Sequence, residues 1–178
     1  MPVPMTSAIE KRAAPIIVTA EMGAADQGWA EGLHRHYYPA ERNQVPAHIT
    51  LLRHLPPSLE SELRTLLREF ARGARPTAAI TGVRLVEYGV VIGLHSPDLL
   101  ALWSELAARF ERHLTPPDLH EPRLHITIQN KVRPAVARAT AATVEASLVP
   151  RPVSIAALAC WSYDAGLWSR IGRYPFRG

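Results

Sequence analysis

The chain is 178 residues long, 47% hydrophobic and 20% charged, which predicts one compact domain and excludes wholesale disorder. A single cysteine, Cys160, excludes a disulfide scaffold and any cysteine-built zinc or iron–sulfur site, and fits a reducing, cytoplasmic setting. The net charge of +4 is almost wholly arginine, since Lys11 and Lys131 are the only lysines, and without a dense basic run it marks no nucleic-acid groove.

Residues 1–14 read as a loose tail lacking the apolar core of a signal peptide. The β-branched run Pro15–Met22 predicts a strand, and Asp26 is placed to N-cap a helix over about Gln27–Tyr38 that Pro39 ends. His48–Leu52 is a second strand. A helix from Pro56-Pro57-Ser58 to about Arg72 carries Leu59, Leu63, Leu66, Leu67 and Phe70 on one stripe, and Thr77–Tyr88 is the third strand. Gly89 turns the chain into Val90–His95, and the order then repeats. A helix from Ser96-Pro97-Asp98 to about Leu114 is followed by a strand over Arg123–Gln129. An alanine-rich helix from Pro134 to about Leu148 leads to strands over Val153–Trp161 and Leu167–Tyr174, joined through Asp164-Ala165-Gly166. Ile16 to His48 spans 32 residues and Val91 to His125 spans 34, a recurrence of about 75 residues. It predicts one bilobal domain over 15–178, with lobes over about 15–88 and 89–178. No apolar run is long enough to span a bilayer.

His48-Ile-Thr-Leu51 and His125-Ile-Thr-Ile128 fall in the second strand of each half. Residues i and i+2 of a strand share a face, so each histidine projects beside its threonine while the isoleucine between them points to a core. Two lobes related by a pseudo-twofold would set these polar faces opposite one another across a cleft. That arrangement suits in-line hydrolysis of a phosphodiester, which needs a base for the attacking water and an acid for the leaving oxygen on opposite sides of phosphorus. Histidine does either job near neutral pH, and a threonine hydroxyl can donate to a non-bridging oxygen. No metal is needed. Chance places two His-x-Thr pairs in roughly one such chain in ten, so the weight rests on the shared tripeptide, the apolar alternation and the matching positions.

These motifs resemble the two signatures of the two-histidine (2H) phosphoesterase superfamily, which includes the bacterial 2′-5′ RNA ligase and cyclic phosphodiesterase branches. The resemblance runs from about Pro15 to Phe176 and takes in Pro46 and Pro122 before the motifs and the Trp161…Trp168…Tyr174-Pro175-Phe176 stretch. It implies an α/β (α+β) fold of two pseudo-symmetric lobes, each a small, mostly antiparallel sheet with two helices, around a central cleft. It also implies His48 and His125 as the acid/base pair and Thr50 and Thr127 as phosphate-holding hydroxyls. The implied activity is cofactor-free and metal-independent hydrolysis, or reversible ligation, of 2′,3′-cyclic or 2′-5′ phosphodiesters in RNA ends or nucleotides. The chain departs from the pattern at Ile128, where leucine is commoner, and at Asn130-Lys131, where several branches carry an arginine.

Lys131 shares the His125 face if that strand runs on, and is a substrate-binding candidate; Gln129 shares it with less claim. His54 reads as a loop histidine before Pro56-Pro57. Arg53 has the opposite parity to His48 and reaches phosphate only if the strand bulges. Tyr38, beside Tyr37 at the end of the first helix, is a candidate for stacking a nucleobase. Trp103 and Phe110 belong to a core stripe. On a helix His34-x-His36 is poorly spaced for chelation, and no His-Glu-x-x-His, Gly-x-Ser-x-Gly, dinucleotide or P-loop pattern occurs. The competing readings are a non-catalytic RNA- or nucleotide-binding module and a histidine-ligated metal hydrolase. Neither a membrane nor an obligate protein partner is expected.

Overall fold

The computed structural model describes residues 14–42 and 45–178, so the predicted tail lies, but for its last residue, outside the described residues. The elements are β1 (Ile16–Met22), α1 (Ala24–Tyr37), β2 (Ile49–Leu55), α2 (Glu60–Phe70), β3 (Thr77–Val86), β4 (Gly89–His95), α3 (Pro97–Phe110), β5 (His125–Gln129), α4 (Pro134–Ser147), β6 (Pro152–Asp164) and β7 (Leu167–Pro175). Local chemistry sets several of these boundaries. Pro97 and Pro134 start α3 and α4 at the one turn that needs no amide donor, and the Ser96 hydroxyl accepts from the Leu99 amide at 3.1 Å. Asp26 does not cap α1. Gly23 precedes that helix without a side-chain cap, and Asp26, buried inside the first turn, accepts instead from Arg151 and from the Ser154 amide and hydroxyl.

The seven strands form one antiparallel sheet in the order β1-β2-β5-β4-β3-β6-β7, and β1 also pairs with β6. The third strand of each half pairs with the first strand of the other, β3 with β4 and β6 with β1, so the halves exchange strands. The long ladders make two surfaces, β2-β1-β6-β7 and β5-β4-β3. These surfaces meet at the single pair Ile49↔Ile126 and again where Pro152–Ser154 of β6 runs along β3.

The faces turned from the cleft are covered by helices, with α2 against β7, α3 against β2 and β3, and α4 against β3 and β4, while α1 lies on β1 and β5. Val18, Ile49, Leu51, Ile126, Ile128 and Leu158 are buried there with Leu63, Leu67, Leu99, Leu106 and Phe110. Burying such a side chain stabilises by about 1.5–3 kcal/mol, and this apolar layer gives the opposite face a rigid backing.

Candidate active site

Because β2 and β5 are antiparallel and Ile49 faces Ile126, the register sets His48 beside Thr127 and Thr50 beside His125. Both isoleucines are fully buried, and the four polar residues are part-exposed on the other face. The two motifs are thus neighbours on one continuous surface at the junction of the two ladders, related by the local twofold of an antiparallel pair. This replaces the expected picture of facing walls: the cleft floor itself carries both histidines.

Each ring is held in the same way. The Nδ1 of His48 donates to the Pro46 carbonyl at 2.8 Å, and that of His125 donates to the Arg123 carbonyl at 2.7 Å. With Nδ1 engaged, Nε2 is the nitrogen left for chemistry on both rings. Ala47, just before His48, is clamped from α1: its amide donates to Glu31 at 2.6 Å and its carbonyl accepts from Gln27 at 2.8 Å. Burial pushes the His48 imidazole below its ordinary value, and His34 and His125 add to that, against the Pro46 carbonyl and Glu31. Burial likewise lowers His125, helped by Arg84 and Arg53 and opposed by the Arg123 carbonyl.

Two hollows share the Arg53 side chain. One, of about 540 Å³, takes in His48, Thr127, Tyr38, His54, Lys131 and Trp168; the other, of about 470 Å³, takes in His125, Arg84 and Arg123. Arg53 and His54 arrive there through two bulges in β2. From Thr19↔Thr50 to Val18↔Leu52 one step along β1 matches two along β2, which turns Arg53 to the cleft, and from there to Ile16↔Leu55 two steps match three. The buried Asp118 carboxylate accepts from the consecutive amides of Arg53 and His54 at 2.8 and 3.0 Å. β2 therefore continues through His54, which lines the cleft as part of the strand and not as a loop residue.

A bulge in β5 works the other way. One step from Val90 to Val91 matches two from Gln129 to Thr127, which turns Gln129 inward to donate to Thr140 at 3.0 Å. The strand does not run on to Lys131, whose φ is 60°, yet that turn still leaves Lys131 lining the His48 hollow. Tyr38 lines it too, its ring 4.4 Å from that of His34, whereas Tyr37 packs on the core. Gly93 lies opposite His125. A Cβ there would stand 2.7 Å from the Thr81 hydroxyl and 3.3 Å from Arg84 Nε, so the glycine leaves room for Arg84 beside the ring.

Sequence reasoning missed Trp168 as a site residue. Its ring lies 5.0 Å from His48 and 6.0 Å from both Trp161 and Tyr163, at the mouth of the cleft. Its signals were its place in the Trp161…Trp168…Tyr174 stretch of the family resemblance and its position two residues beyond a tight turn in the terminal hairpin. Among the described residues no group of three histidine, cysteine or carboxylate side chains is placed to hold a metal ion, and no helix is long and apolar enough to cross a membrane.

A family model described as the 2′-5′ RNA ligase superfamily matches residues 22–167. Among solved structures, E. coli LigT complexed with 3′-AMP superposes with a TM-score of 0.65 at 15% identity, covering 93% of this chain and 99% of that one. A Thermus thermophilus protein, TT0787, gives 0.61 at 14% identity over 92% and 98%, and a structure described as a phosphoesterase gives 0.62 at 14% over 93% and 99%. At these identities the likeness carries the fold. No curated protein sequence matches the chain.

Proposed function

The chain belongs to the 2′-5′ RNA ligase superfamily of phosphoesterase-type enzymes, and within it we propose that it cleaves a 2′,3′-cyclic or 2′-5′ phosphodiester at an RNA end or in a nucleotide, or reseals it. His48 and His125 are the acid/base pair. The observation that carries this reading is the Ile49↔Ile126 register, which brings two identically held imidazoles and two threonines to one face.

A phosphate lying over that face meets one Nε2 on each side. The neutral imidazole removes a proton from the attacking water as its oxygen bonds to phosphorus, and the protonated one gives a proton to the departing ribose oxygen as the P–O bond breaks. Thr50 and Thr127 donate to the non-bridging oxygens, and Arg53 balances their charge from between the two hollows. Ligation runs the same transfers in reverse. Since the site has local twofold symmetry, a substrate bound in either orientation would find an acid and a base.

The test is turnover of 2′,3′-cyclic nucleotides with EDTA present. Activity that survives EDTA and is lost in both His48→Ala and His125→Ala supports the reading. Activity abolished by EDTA, or retained in full by either variant, overturns it.

A further inference from the structure

A second concentration of positive charge lies away from the histidines. Arg64, Arg68 and Arg72 follow at four-residue intervals along α2 and the turn after it, and Arg173 and Arg177 close the other side of a groove of about 450 Å³ that no acidic residue lines. Glu60 engages Arg64 at 3.2 Å, and Glu21 engages both Arg173 at 2.6 Å and Arg170 at 3.1 Å. Among the described residues no ion pair involves Arg68, Arg72 or Arg177. Stacking like charges at this spacing destabilises a helix, so the row gains most when an anion lies along it.

The groove is joined to the cleft by β7. That strand ends the sheet with its outer edge unpaired. On its cleft face it carries Trp168 beside His48, then Arg170, 4.8 Å from the Trp161 ring, and Arg173, the last two both paired with Glu21. Tyr174 turns to Arg68 of α2, so that a chain reaching the groove passes over this edge. Five strand residues at about 3.3 Å each put roughly 17 Å between Trp168 and Arg173, a span that a short single strand covers. No dense basic run announced this surface because its members come from one helix and from a strand about 100 residues further on.

We propose that α2 and β7 form a phosphate track for the body of a single-stranded RNA whose reacting end lies between His48 and His125, making an oligoribonucleotide the preferred substrate over a mononucleotide. The proposal rests on the reaction assigned to the histidines. Arginine forks match phosphate oxygens two at a time, and part-exposed Trp168 and exposed Tyr163, between track and cleft, offer rings on which bases stack. An acidic peptide would leave those rings unused.

The experiment compares a 2′,3′-cyclic mononucleotide with an oligoribonucleotide of about twelve residues ending in the same cyclic phosphate, over a salt series, in the wild type and in Arg68→Gln/Arg72→Gln. The oligonucleotide should show a KM about tenfold lower, rising with salt. The double variant should lose that advantage and about 1.4 of the log–log salt slope, 0.7 for each contact, while its mononucleotide kinetics stay unchanged. An unchanged oligonucleotide KM in the variant overturns the track. Anisotropy of a labelled 3′-hydroxyl oligoribonucleotide separates the two claims. Arginine-dependent binding without turnover of either substrate sinks the reaction but keeps the track, and equal binding by variant and wild type sinks the track whatever the turnover. Competition by an oligoglutamate peptide as strong as that of RNA of equal charge would also overturn it, assigning the groove to an acidic protein segment.

Discussion

His48 and His125 each donate Nδ1–H to the carbonyl two residues back, at 2.8 and 2.7 Å, so one short contact fixes both tautomer and ring angle. Replacing either by alanine should lower kcat by about 10²–10⁴-fold with a smaller change in KM, read by steady-state kinetics. Thr50→Val or Thr127→Val removes one donor to the transition state and should cost roughly 10²-fold. The pH profile follows from the direction of the shifts. Both imidazoles sit below their ordinary value in the free protein. The base must be neutral and the acid charged, so kcat/KM should be bell-shaped with its maximum below about pH 6.5. A bound phosphate favours imidazolium and should move the kcat profile upward. A kcat/KM maximum above neutrality would contradict this assignment.

At the scale of elements, bulges in β2 and β5 aim the side chains. The second β2 bulge is pinned by one carboxylate, Asp118, that takes the consecutive amides of Arg53 and His54. Asp118→Ala leaves those two donors unpaired, which should cost about 1–3 kcal/mol in urea denaturation and raise KM as Arg53 loses its aim. Asp118→Asn retains an acceptor oxygen and should recover most of both losses, an outcome that a role resting on the carboxylate charge would not give. The β6–β7 hairpin turns through Ala165 and Gly166, with φ of 49° and 90°, the two-residue form that needs a left-handed backbone at both positions. Ala165→Asn should stabilise by about 0.5–1 kcal/mol, a rise of a few degrees in Tm by calorimetry. Gly166 lines the cleft, so this turn also sets where Trp168 meets His48.

For the molecule as a whole, the start of β6 is the strand segment common to both ladders, and Asp26 ties it to α1. Burial alone would raise the Asp26 carboxyl, but hydrogen bonds from Arg151 and Ser154 outweigh burial and hold it below the ordinary carboxylate range. The unfolded chain therefore takes up that proton first. The contribution is complete above about pH 4 and is lost as pH falls through the folded value. Asp26→Asn should lower stability by about 1–3 kcal/mol at pH 7 and by much less near pH 3, as urea unfolding at the two pH values would show. Equal losses at both would assign the effect to packing.

Strand and helix order, the recurrence of elements and the two His-x-Thr pairs were legible in the residues because each depends on periods of 2 and 3.6 and on proline and serine at helix starts. The polar face of each motif followed from parity alone, and Ile49 and Ile126 are indeed buried behind it. What parity could not show is any place where the ladder slips. Arg53 reaches the cleft and Gln129 leaves it because a bulge adds one residue to a strand, and the acceptor that holds the Arg53 and His54 amides, Asp118, lies 65 residues from Arg53. The exchange of strands between halves, the meeting of both motifs at one backbone pair and the gathering of scattered arginines along β7 are likewise long-range events. Local periodicity determined what each segment is. Only tertiary pairing decided which segments became neighbours, because hydrogen-bond register joins residues that the sequence keeps far apart.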